Sequence, residues 1–432
     1  MGWPLFGETS DFLKSGQKFI KIRRARYGEL FRSHILGCPT VISTDPALNR
    51  YILLNEGRGL IPGYPQSMLD ILGKWNIAAV QNSLHKTMRG AMLALINPSM
   101  IKDHLLSDIN NFMDIHFQHW NDRVINLQDK TKEMALLLSL KQVMSMNSGP
   151  KAEAFMLEFY KLVEGTISMP INLPGTSYRR GFQARENVLR MLREVLRERR
   201  ASTDTHNDMI AMLLNDKEEE DGASVNSKLT DEQILDLLIS IINAGYETVS
   251  TTTMMAVKYL HDNPEALRQL REEHLAIKRR KNPGETVNWD DYKSMKFTRS
   301  VIYETLRIAT IVNGVLRKTT QDMEMKGFLI PKGWRIYVYM AETNQDNFLY
   351  PDFSTFNPWR WQEKNGDSLL YFMAFGGGSR LCPGKELGLV EISMFLHYFV
   401  TRYRWEEVGG DEILSFPRVV APKGLRIKVS EY

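Results

Sequence analysis

The chain has 432 residues, of which 43% are hydrophobic, 10% aromatic and 25% charged, a composition that allows a large buried core and excludes collagen-like and disordered classes. A net charge of +4 is too small at this length to indicate nucleic-acid binding, and two cysteines are too few for a disulfide framework. No apolar run reaches the roughly eighteen residues that span a bilayer, and the N-terminus lacks a signal-peptide pattern, so the sequence as given predicts a soluble protein.

The first third of the sequence mixes short strand-like runs with helical patterns. Phe31 to Leu36 and Thr40 to Ser43 predict strands. From Met100 to Leu260 apolar residues recur at three- and four-residue spacing, which predicts helices. One linker-like stretch, Asn215 to Lys228, is rich in Glu, Asp, Gly and Ser and predicts an exposed loop.

The clearest single element begins at Thr230, which forms a capping-box pattern with Gln233. Apolar residues then recur to Leu260, and Asn263-Pro264 ends the run, so we expect a helix roughly 45 Å long. A glycine at its centre, Gly245, costs about 1 kcal/mol relative to alanine. A helix that weakens itself at this point indicates either close packing through small residues or a functional site.

Helices also dominate the C-terminal half of the sequence. We expect helices from Pro264 toward Arg280, over Lys296 to Thr310, and from just after Gly384 through Phe399. Strand-like alternation surrounds a Lys326-Gly327 turn, with Trp334 to Tyr339 as the best strand. The predicted fold class is therefore mainly α, with a small β part formed by the two ends of the sequence.

Cys382 stands in the run Phe375-Gly-Gly-Gly-Ser-Arg-Leu-Cys-Pro-Gly384. The glycines permit close backbone approach to a flat ligand, while the following helix and the cation of Arg380 favour a thiolate. This physics leaves three possibilities, namely a buried structural cysteine, a nucleophile and a thiolate ligand of haem. A nucleophile also requires a partner base, and none of the nine histidines stands in a recognisable hydrolase signature.

The spacing in this run resembles the haem-binding signature of the cytochrome P450 family. Five residues match Phe-x-x-Gly-x-Arg-x-Cys-x-Gly, namely Phe375, Gly378, Arg380, Cys382 and Gly384. The resemblance implies that Cys382 is the axial ligand of the iron of haem b and that the other four residues bind this cofactor. It also implies one catalytic domain over residues 1–432, with the cytochrome P450 fold and the haem between the long central helix and the cysteine loop.

Two other motifs are similar to a pair that recurs in this family. Glu304-Thr-Leu-Arg307 lies in a helical stretch, and Phe356-Asn-Pro-Trp-Arg360 follows about fifty residues later. Taken alone, a glutamate and an arginine three residues apart are a common surface ion pair. The resemblance instead implies a buried structural network of Glu304, Arg307 and Arg360 that braces the haem side of the core.

The centre of the long helix, Ala244 to Thr248, resembles the oxygen-activation motif of the family, where the backbone opens beside the haem. The resemblance implies that Thr248 hydrogen-bonds dioxygen or a water and that Glu247 relays protons from solvent. Cleavage of an O–O bond needs protons delivered to the distal oxygen, and thiolate donation favours the same cleavage. This acid–alcohol pair therefore favours true oxygenation.

Haem propionates require cations, and the resemblance implies three arginines and one histidine as their partners. Arg380 follows from its place in the cysteine motif. His85-Lys-Thr-Met-Arg89 is similar to a Trp-x-x-x-Arg helix, with His85 in place of the tryptophan. Arg317 and Asp322 match an Arg-x-x-x-x-Asp pattern, which implies a propionate contact by Arg317. Each of these residues taken singly is as consistent with surface charge, and the order of the motifs along the chain is what favours haem binding.

Five segments look like the brassinosteroid six-oxidases of plants, namely Gly2–Glu8, Tyr64–Met68, Gly245–Thr251, Ile311–Asp322 and Phe395–Thr401. The likeness implies oxidation of carbon 6 of a 6-deoxo steroid by O2, with electrons from NADPH through NADPH–cytochrome P450 reductase. Two alternatives stay open, hydroxylation of another plant sterol or terpenoid and a haem protein that senses without catalysis. Relatives at the endoplasmic reticulum membrane carry an N-terminal anchor, which this sequence lacks as given, so its membrane association is doubtful.

Overall fold

The structure is a computed structural model that describes residues 7–118, 120–121, 123–202, 206–214, 229–362 and 366–432. The predicted exposed loop from Asn215 to Lys228 lies outside these ranges, as do residues 2–6 of the first plant-like segment. The chain divides into two compact units. The first unit comprises Met1–Gly63, Ile109–Lys132 and Thr248–Tyr432, and the second comprises Tyr64–Asp108 and Glu133–Glu247.

Helices account for most of the described residues. In chain order they are α1 (Thr9–Tyr27), α2 (Pro46–Leu54), α3 (Gln66–Leu72), α4 (Asn82–Leu95), α5 (Pro98–Met100), α6 (Leu106–Phe117), α7 (Leu127–Met144), α8 (Pro150–Thr166), α9 (Ser177–Ala201), α10 (Met209–Leu214), α11 (Asp231–Asp262), α12 (Pro264–Arg279), α13 (Trp289–Ser294), α14 (Lys296–Ala309), α15 (Ala341–Asn344), α16 (Gly366–Tyr371) and α17 (Lys385–Arg402). A π-helical turn, Ile101–Leu105, joins α5 to α6, and 3₁₀ turns cover Pro358–Trp361 and Gly378–Arg380.

The strands form three small sheets, and every strand in the described residues belongs to the first unit. They are β1 (Leu30–Ile35), β2 (Cys38–Ser43), β3 (Leu60–Pro62), β4 (Arg123–Asn126), β5 (Gly314–Thr319), β6 (Met323–Met325), β7 (Phe328–Ile330), β8 (Arg335–Tyr339), β9 (Tyr403–Glu407) and β10 (Arg426–Glu431). The largest sheet has the order β1-β2-β8-β5-β3, in which only β2 and β8 pair in parallel. The others are β4-β10-β9 and the hairpin β6-β7.

The predicted elements form close to their expected bounds, and the predicted fold class is confirmed. The long helix α11 begins with both bonds of a capping box, because the Thr230 amide donates to the Gln233 side chain at 2.9 Å and the Gln233 amide donates to Thr230 Oγ1 at 3.3 Å. Pro264 is the first residue of α12, where its missing N–H costs nothing. The best predicted strand is β8, and β6 and β7 flank the Lys326-Gly327 turn.

Helix α2 is fixed on the largest sheet of the first unit and thereby supports the cysteine loop. The carboxylate of Asp45 caps α2 by accepting the Leu48 amide at 2.6 Å, and Pro46 is its first residue. The inner face of α2 belongs to a buried apolar cluster with sheet residues and with Met373, which precedes the cysteine loop; its members are Val41, Leu48, Ile52, Leu53, Leu60, Met325, Ile330, Ile336, Val338, Met340 and Met373. One core therefore holds both the end of α2 and the start of the loop.

None of the helices within the described ranges is both long enough and apolar enough to cross a lipid bilayer.

Candidate active site

The cysteine loop is a closed turn in the first unit. The amide of Cys382 donates to the carbonyl oxygen of Phe375 at 2.8 Å, and Gly376 and Gly378 have φ angles of 72° and 62°, which favour glycine. Cys382 is half-buried, and α17 begins three residues after it with Gly384 as N-cap. The sulfur therefore lies just before the N-terminus of an 18-residue helix, as the sequence predicts.

Gly378 is required by its contact with α2. A β-carbon at this position would lie 2.6 Å from the carbonyl oxygen of Leu53 and 3.1 Å from the α-carbon of Leu54. The sequence suggested that the glycines serve close approach to a flat ligand. At Gly378 the described residues give a different reason, because the turn rests directly on the backbone of α2.

An aromatic contact that the motifs did not predict lies beside the loop. The ring of Phe375 meets the ring of Tyr303 edge to face at 6.3 Å between centroids, and the ammonium of Lys385 lies 5.1 Å from the Phe375 centroid and 5.8 Å from that of Tyr303. Cation–π attraction thus fixes the first residue of α17 over the first residue of the loop. Tyr303 directly precedes Glu304, so α14 supports the cysteine loop and carries the buried network.

The carboxylate of Glu304 is the centre of a buried network. It accepts two hydrogen bonds from Arg307, at 2.7 and 2.9 Å, and one from Arg360 Nε at 3.0 Å. The amide of Asn357 and the indole N–H of Trp361 also donate to it, at 3.0 and 2.9 Å. The structure thus brings together Glu304, Arg307 and Arg360. It adds Trp361 to the network, and the only indication of this residue in the sequence is that it directly follows Arg360 of the motif.

This network joins α14 to the segment before the cysteine loop. Neither Glu304 nor Arg307 has any exposed side-chain area, and Arg307 also donates to the carbonyl oxygen of Asn344 at 2.8 Å. A buried ion pair is tolerated only when the remaining polar atoms are hydrogen-bonded, which is the case around Glu304. We propose, as the sequence resemblance implies, that the three charged residues have a structural role.

A second charged cluster in the first unit contains two of the predicted propionate cations. Arg380 Nε donates to Glu56 Oε1 at 2.5 Å, and Arg317 Nε lies 3.2 Å from Glu56 Oε2. Only 3% of the Arg317 side chain and 12% of the Arg380 side chain are exposed. Glu56 appears in none of the sequence motifs and could not be found from them. Asp322 accepts the amide of Lys332 at 2.7 Å, which makes it a turn residue.

These residues are suited to holding the propionate of a haem. The ion pair between Arg317 and Glu56 is too poorly aligned for a hydrogen bond, so Arg317 Nε is a buried donor without an acceptor among the described residues. A donor of this kind is costly unless an anion accepts from it. The unmet donor of Arg317 fits a propionate at the acidic edge of haem, and a cysteine just before a helix N-terminus fits the haem iron.

The remaining predicted site residues lie on α4 and α11. His85 and Arg89 are four residues apart on one face of α4 in the second unit, with His85 buried and Arg89 half-buried. Ala244 and Thr248 are likewise four residues apart on α11, and both are exposed, while Glu247 is half-buried. The expected opening of the backbone does not interrupt the helix, and the carbonyl oxygen of Thr248 accepts the Thr252 hydroxyl at 2.6 Å.

Comparisons with known proteins agree over the whole chain. The cytochrome P450 family model matches residues 1–429. Cytochrome P450 85A of Phaseolus vulgaris is 61% identical over 432 residues, covering 100% of this chain and 91% of the relative. Cytochrome P450 85A1 of Solanum lycopersicum is 60% identical, covering 100% and 92%. The 3-epi-6-deoxocathasterone 23-monooxygenase CYP90C1 of Arabidopsis thaliana is 38% identical, covering 100% and 83%.

The fold also matches that of a protein whose structure has been solved. The structure of retinoic acid-bound cyanobacterial CYP120A1 superposes with a TM-score of 0.89, at 23% identity, over 100% of this chain and 98% of that one. This likeness shows the fold alone. The match of the family model and the full-length relatives carry the assignment further: the chain belongs to the cytochrome P450 family of haem-dependent monooxygenases.

Proposed function

We propose that this monooxygenase acts in brassinosteroid biosynthesis and oxidises carbon 6 of 6-deoxo steroids, converting 6-deoxocastasterone to castasterone. The observation that carries the proposal is the 61% identity, over the full chain, to a plant cytochrome P450 85A protein. It is supported by the five segments that resemble brassinosteroid six-oxidases. A more distant relative is itself named for a 6-deoxo steroid.

In the proposed mechanism Cys382 would ligate the haem iron, and Arg317, Arg380 and Arg89, with His85, would hold the propionates. Phe375, Gly378 and Gly384 shape the loop around the ligand, as the resemblance implies. Thiolate-ligated haem supplies the activation of oxygen and the oxidation of an unactivated C–H bond. The contribution of the protein is therefore the orientation of this group and the delivery of protons.

Proton delivery is assigned to α11. The carboxyl group of Glu247 would take up a proton from solvent, and the hydroxyl of Thr248 would relay it to the oxygen chemistry that bound haem supplies. The exposure of Thr248 in the middle of a long helix supports this role, because most neighbouring side chains on the helix are buried. The hydroxyl of Thr252 bonds the carbonyl oxygen of Thr248 and stabilises the helix at this position.

We infer that residues 1–432 form one catalytic domain, because the family model spans segments of both units. The electrons are proposed to come from NADPH through NADPH–cytochrome P450 reductase, with O2 as co-substrate. We propose the cytosolic face of the endoplasmic reticulum membrane as the location, on the resemblance to anchored relatives.

Turnover of 6-deoxocastasterone tests this proposal. The haem-loaded protein, a plant NADPH–cytochrome P450 reductase and NADPH are incubated with the steroid, and products are identified by mass spectrometry. We expect the 6-hydroxy intermediate and then castasterone. Absence of the ketone, or turnover of only other sterols or terpenoids, would overturn the assignment of the substrate.

Two matched variants of α11 test the proton relay. We expect Thr248→Val to consume NADPH with much less product for each NADPH, because the hydroxyl that passes the proton is gone. Thr253→Val is the control, since Thr253 is fully buried and its hydroxyl has no hydrogen-bond partner among the described residues. Equal coupling of NADPH to product in both variants would refute the role of Thr248.

A further inference from the structure

Glu56 links three elements of the first unit at the second charged cluster. It lies two residues after the end of α2, and its carboxylate contacts Arg317 of β5 and Arg380 of the cysteine loop. Only 8% of its side chain is exposed. A carboxylate with so little access to water needs its cations, and two arginines are held by this one acid.

The geometry around Glu56 is uneven. Oε1 accepts from Arg380 at 2.5 Å, whereas Oε2 is buried and has no hydrogen-bond partner among the described residues, although Arg317 Nε is 3.2 Å away. The guanidinium of Arg317 is thus held near Glu56 by the attraction of opposite charges, but its Nε–H is not aligned with Oε2 for a hydrogen bond. A partner that accepts from Arg317 would complete this cluster.

The formal charges of the cluster point to that partner. Two arginines and one carboxylate leave one net positive charge, which one further carboxylate would neutralise. Without Glu56 the same pair of buried guanidiniums would repel each other and separate. The carboxylate of Glu56 therefore sets the distance between the guanidinium groups of Arg317 and Arg380. It also sets the charge of the ligand that the two arginines bind.

We infer that Glu56 is a positioning residue that presents Arg317 and Arg380 to a haem propionate and adds a negative charge beside the haem. The inference rests on the proposed propionate contacts of the two arginines. The position of Glu56 is itself fixed, because the backbone of Leu53 at the end of α2 packs on Gly378 of the cysteine loop. The end of α2 therefore orients the turn and the first cation within it.

The reduction potential of the haem separates this role from general support of the fold. Reduction adds an electron, so a fixed negative charge nearby disfavours it. We expect Glu56→Gln to shift the midpoint potential to more positive values. Glu342→Gln is the matched control, because the Glu342 side chain is 9% exposed and accepts from Arg24 at 2.7 Å without contacting either propionate arginine. We expect no shift in this control.

The carbon monoxide difference spectrum of the wild-type protein is recorded first, so that the two proposals fail separately. A wild-type spectrum without the thiolate band overturns the proposed function. A thiolate band in the wild type, with no shift in Glu56→Gln or an equal shift in Glu342→Gln, overturns the positioning role alone.

A second pair of variants covers the case in which Glu56→Gln does not retain haem. Glu56→Asp keeps the charge but shortens the side chain, so one carboxylate no longer reaches both arginines. We expect haem transfer to apomyoglobin to be roughly tenfold faster than in the wild type, as is typical when an outer partner of a bound group is lost. Glu342→Asp is the control with unchanged transfer, and equal rates in the two variants would contradict the inference.

Discussion

At the residue scale, Glu304 shows how much one buried carboxylate can support. Its two oxygens accept from both arginines of the network, from the Asn357 amide and from the Trp361 indole, with no exposed side-chain area. Removal of its charge leaves the guanidinium of Arg307 buried and uncompensated. Such a loss costs more than the pair itself contributes, because the remaining ion has no access to water.

We therefore expect Glu304→Gln to lower the free energy of unfolding by about 3–5 kcal/mol, with loss of haem. The measurement is urea denaturation followed by far-ultraviolet circular dichroism. Glu265→Gln is the control, because this glutamate pairs with Arg268 on an exposed helix face, and we expect no measurable change. A similar small effect at both positions would contradict a supporting role for Glu304.

Substitutions at two glycines of the cysteine loop distinguish the cost of backbone strain from the cost of a steric clash. A side chain at either Gly376 or Gly378 meets a left-handed φ, but at Gly376 the nearest atom is 3.7 Å away, whereas at Gly378 it is 2.6 Å away. We expect Gly376→Ala to cost about 1 kcal/mol and Gly378→Ala clearly more, toward 3 kcal/mol. Urea denaturation of the two haem-loaded variants checks this, and equal costs would contradict the contact with α2.

The sequence predicts the residues of these sites where a local motif contains them. Glu304 and Arg307 face the same side of a helix because they are three residues apart, so their pairing follows from the sequence. Glu56 does not follow from it, because Arg380 lies 324 residues away and no spacing rule connects the two positions. The contact exists because α2 and the cysteine loop share one apolar core.

At the element scale, α14 depends on another helix for its first turn. The residue before it, Met295, provides no side-chain cap. Glu273 of α12 replaces the cap by accepting the amides of Phe297 and Thr298 at 2.8 and 2.9 Å. A carboxylate at this end also interacts favourably with the helix dipole. This cap holds the start of the helix that carries Glu304 and Arg307.

We expect Glu273→Gln to lower the free energy of unfolding by about 1–2 kcal/mol, because the two amides donate to different carboxylate oxygens and glutamine replaces one of these oxygens with an NH2 group that cannot accept. The adjacent Glu272 is exposed and pairs with Arg268, so Glu272→Gln is a matched control with little effect. Hydrogen exchange of the first turn of α14 gives a local measurement. Unchanged exchange in Glu273→Gln would refute the capping role.

Long elements with local signals are predicted well from the sequence, and their connections are not. The capping box of α11 lies within four consecutive residues, so both of its bonds follow from the pattern at Thr230 and Gln233. The cap of α14 comes from a residue more than twenty positions earlier in another helix. Periodicity shows where α14 runs but cannot show which distant side chain satisfies its end.

At the scale of the whole molecule, a buried histidine pair makes stability depend on pH. The Nδ1 atoms of His274 and His397 are 3.2 Å apart, and His274 Nε2 is 3.1 Å from the Thr298 hydroxyl, which donates to Glu273 at 2.5 Å. The hydroxyl must therefore accept from His274 Nε2–H. Because burial keeps the His274 ring neutral, its Nδ1 carries no proton and accepts from His397 Nδ1–H. Both rings are neutral in this arrangement. The two histidines are 123 residues apart, so no local motif predicts their contact.

Burial lowers the pKa of His397 to about 4, and burial, together with the neighbouring imidazole, lowers the pKa of His274 well below its usual value. Each folded-state pKa is below the unfolded value near 6.5, so the unfolded chain binds more protons in between. The stability from this pair is therefore present above about pH 6.5 and is lost as the pH falls toward 4. We expect a loss on the order of a few kcal/mol.

Urea denaturation between pH 7.5 and 5.5 measures this loss. Gln at position 397 can still donate to His274 but does not titrate, so we expect His397→Gln to have a weaker pH dependence than the wild type. His261→Gln is the control, because His261 is partly exposed beside Asp262. An unchanged pH slope in His397→Gln would contradict the assignment to the buried pair.

The most direct test of the haem-thiolate assignment is the carbon monoxide difference spectrum of the reduced, haem-loaded protein. Cys382 and Cys38 are the two cysteines of the chain, and Cys38 lies on β2 at the far end of the sequence. We predict an absorption band at the thiolate position for the wild type and for Cys38→Ser, and its loss in Cys382→Ser. A band at the position of a histidine or neutral-thiol ligand in the wild type, or a thiolate band that survives Cys382→Ser, would contradict it.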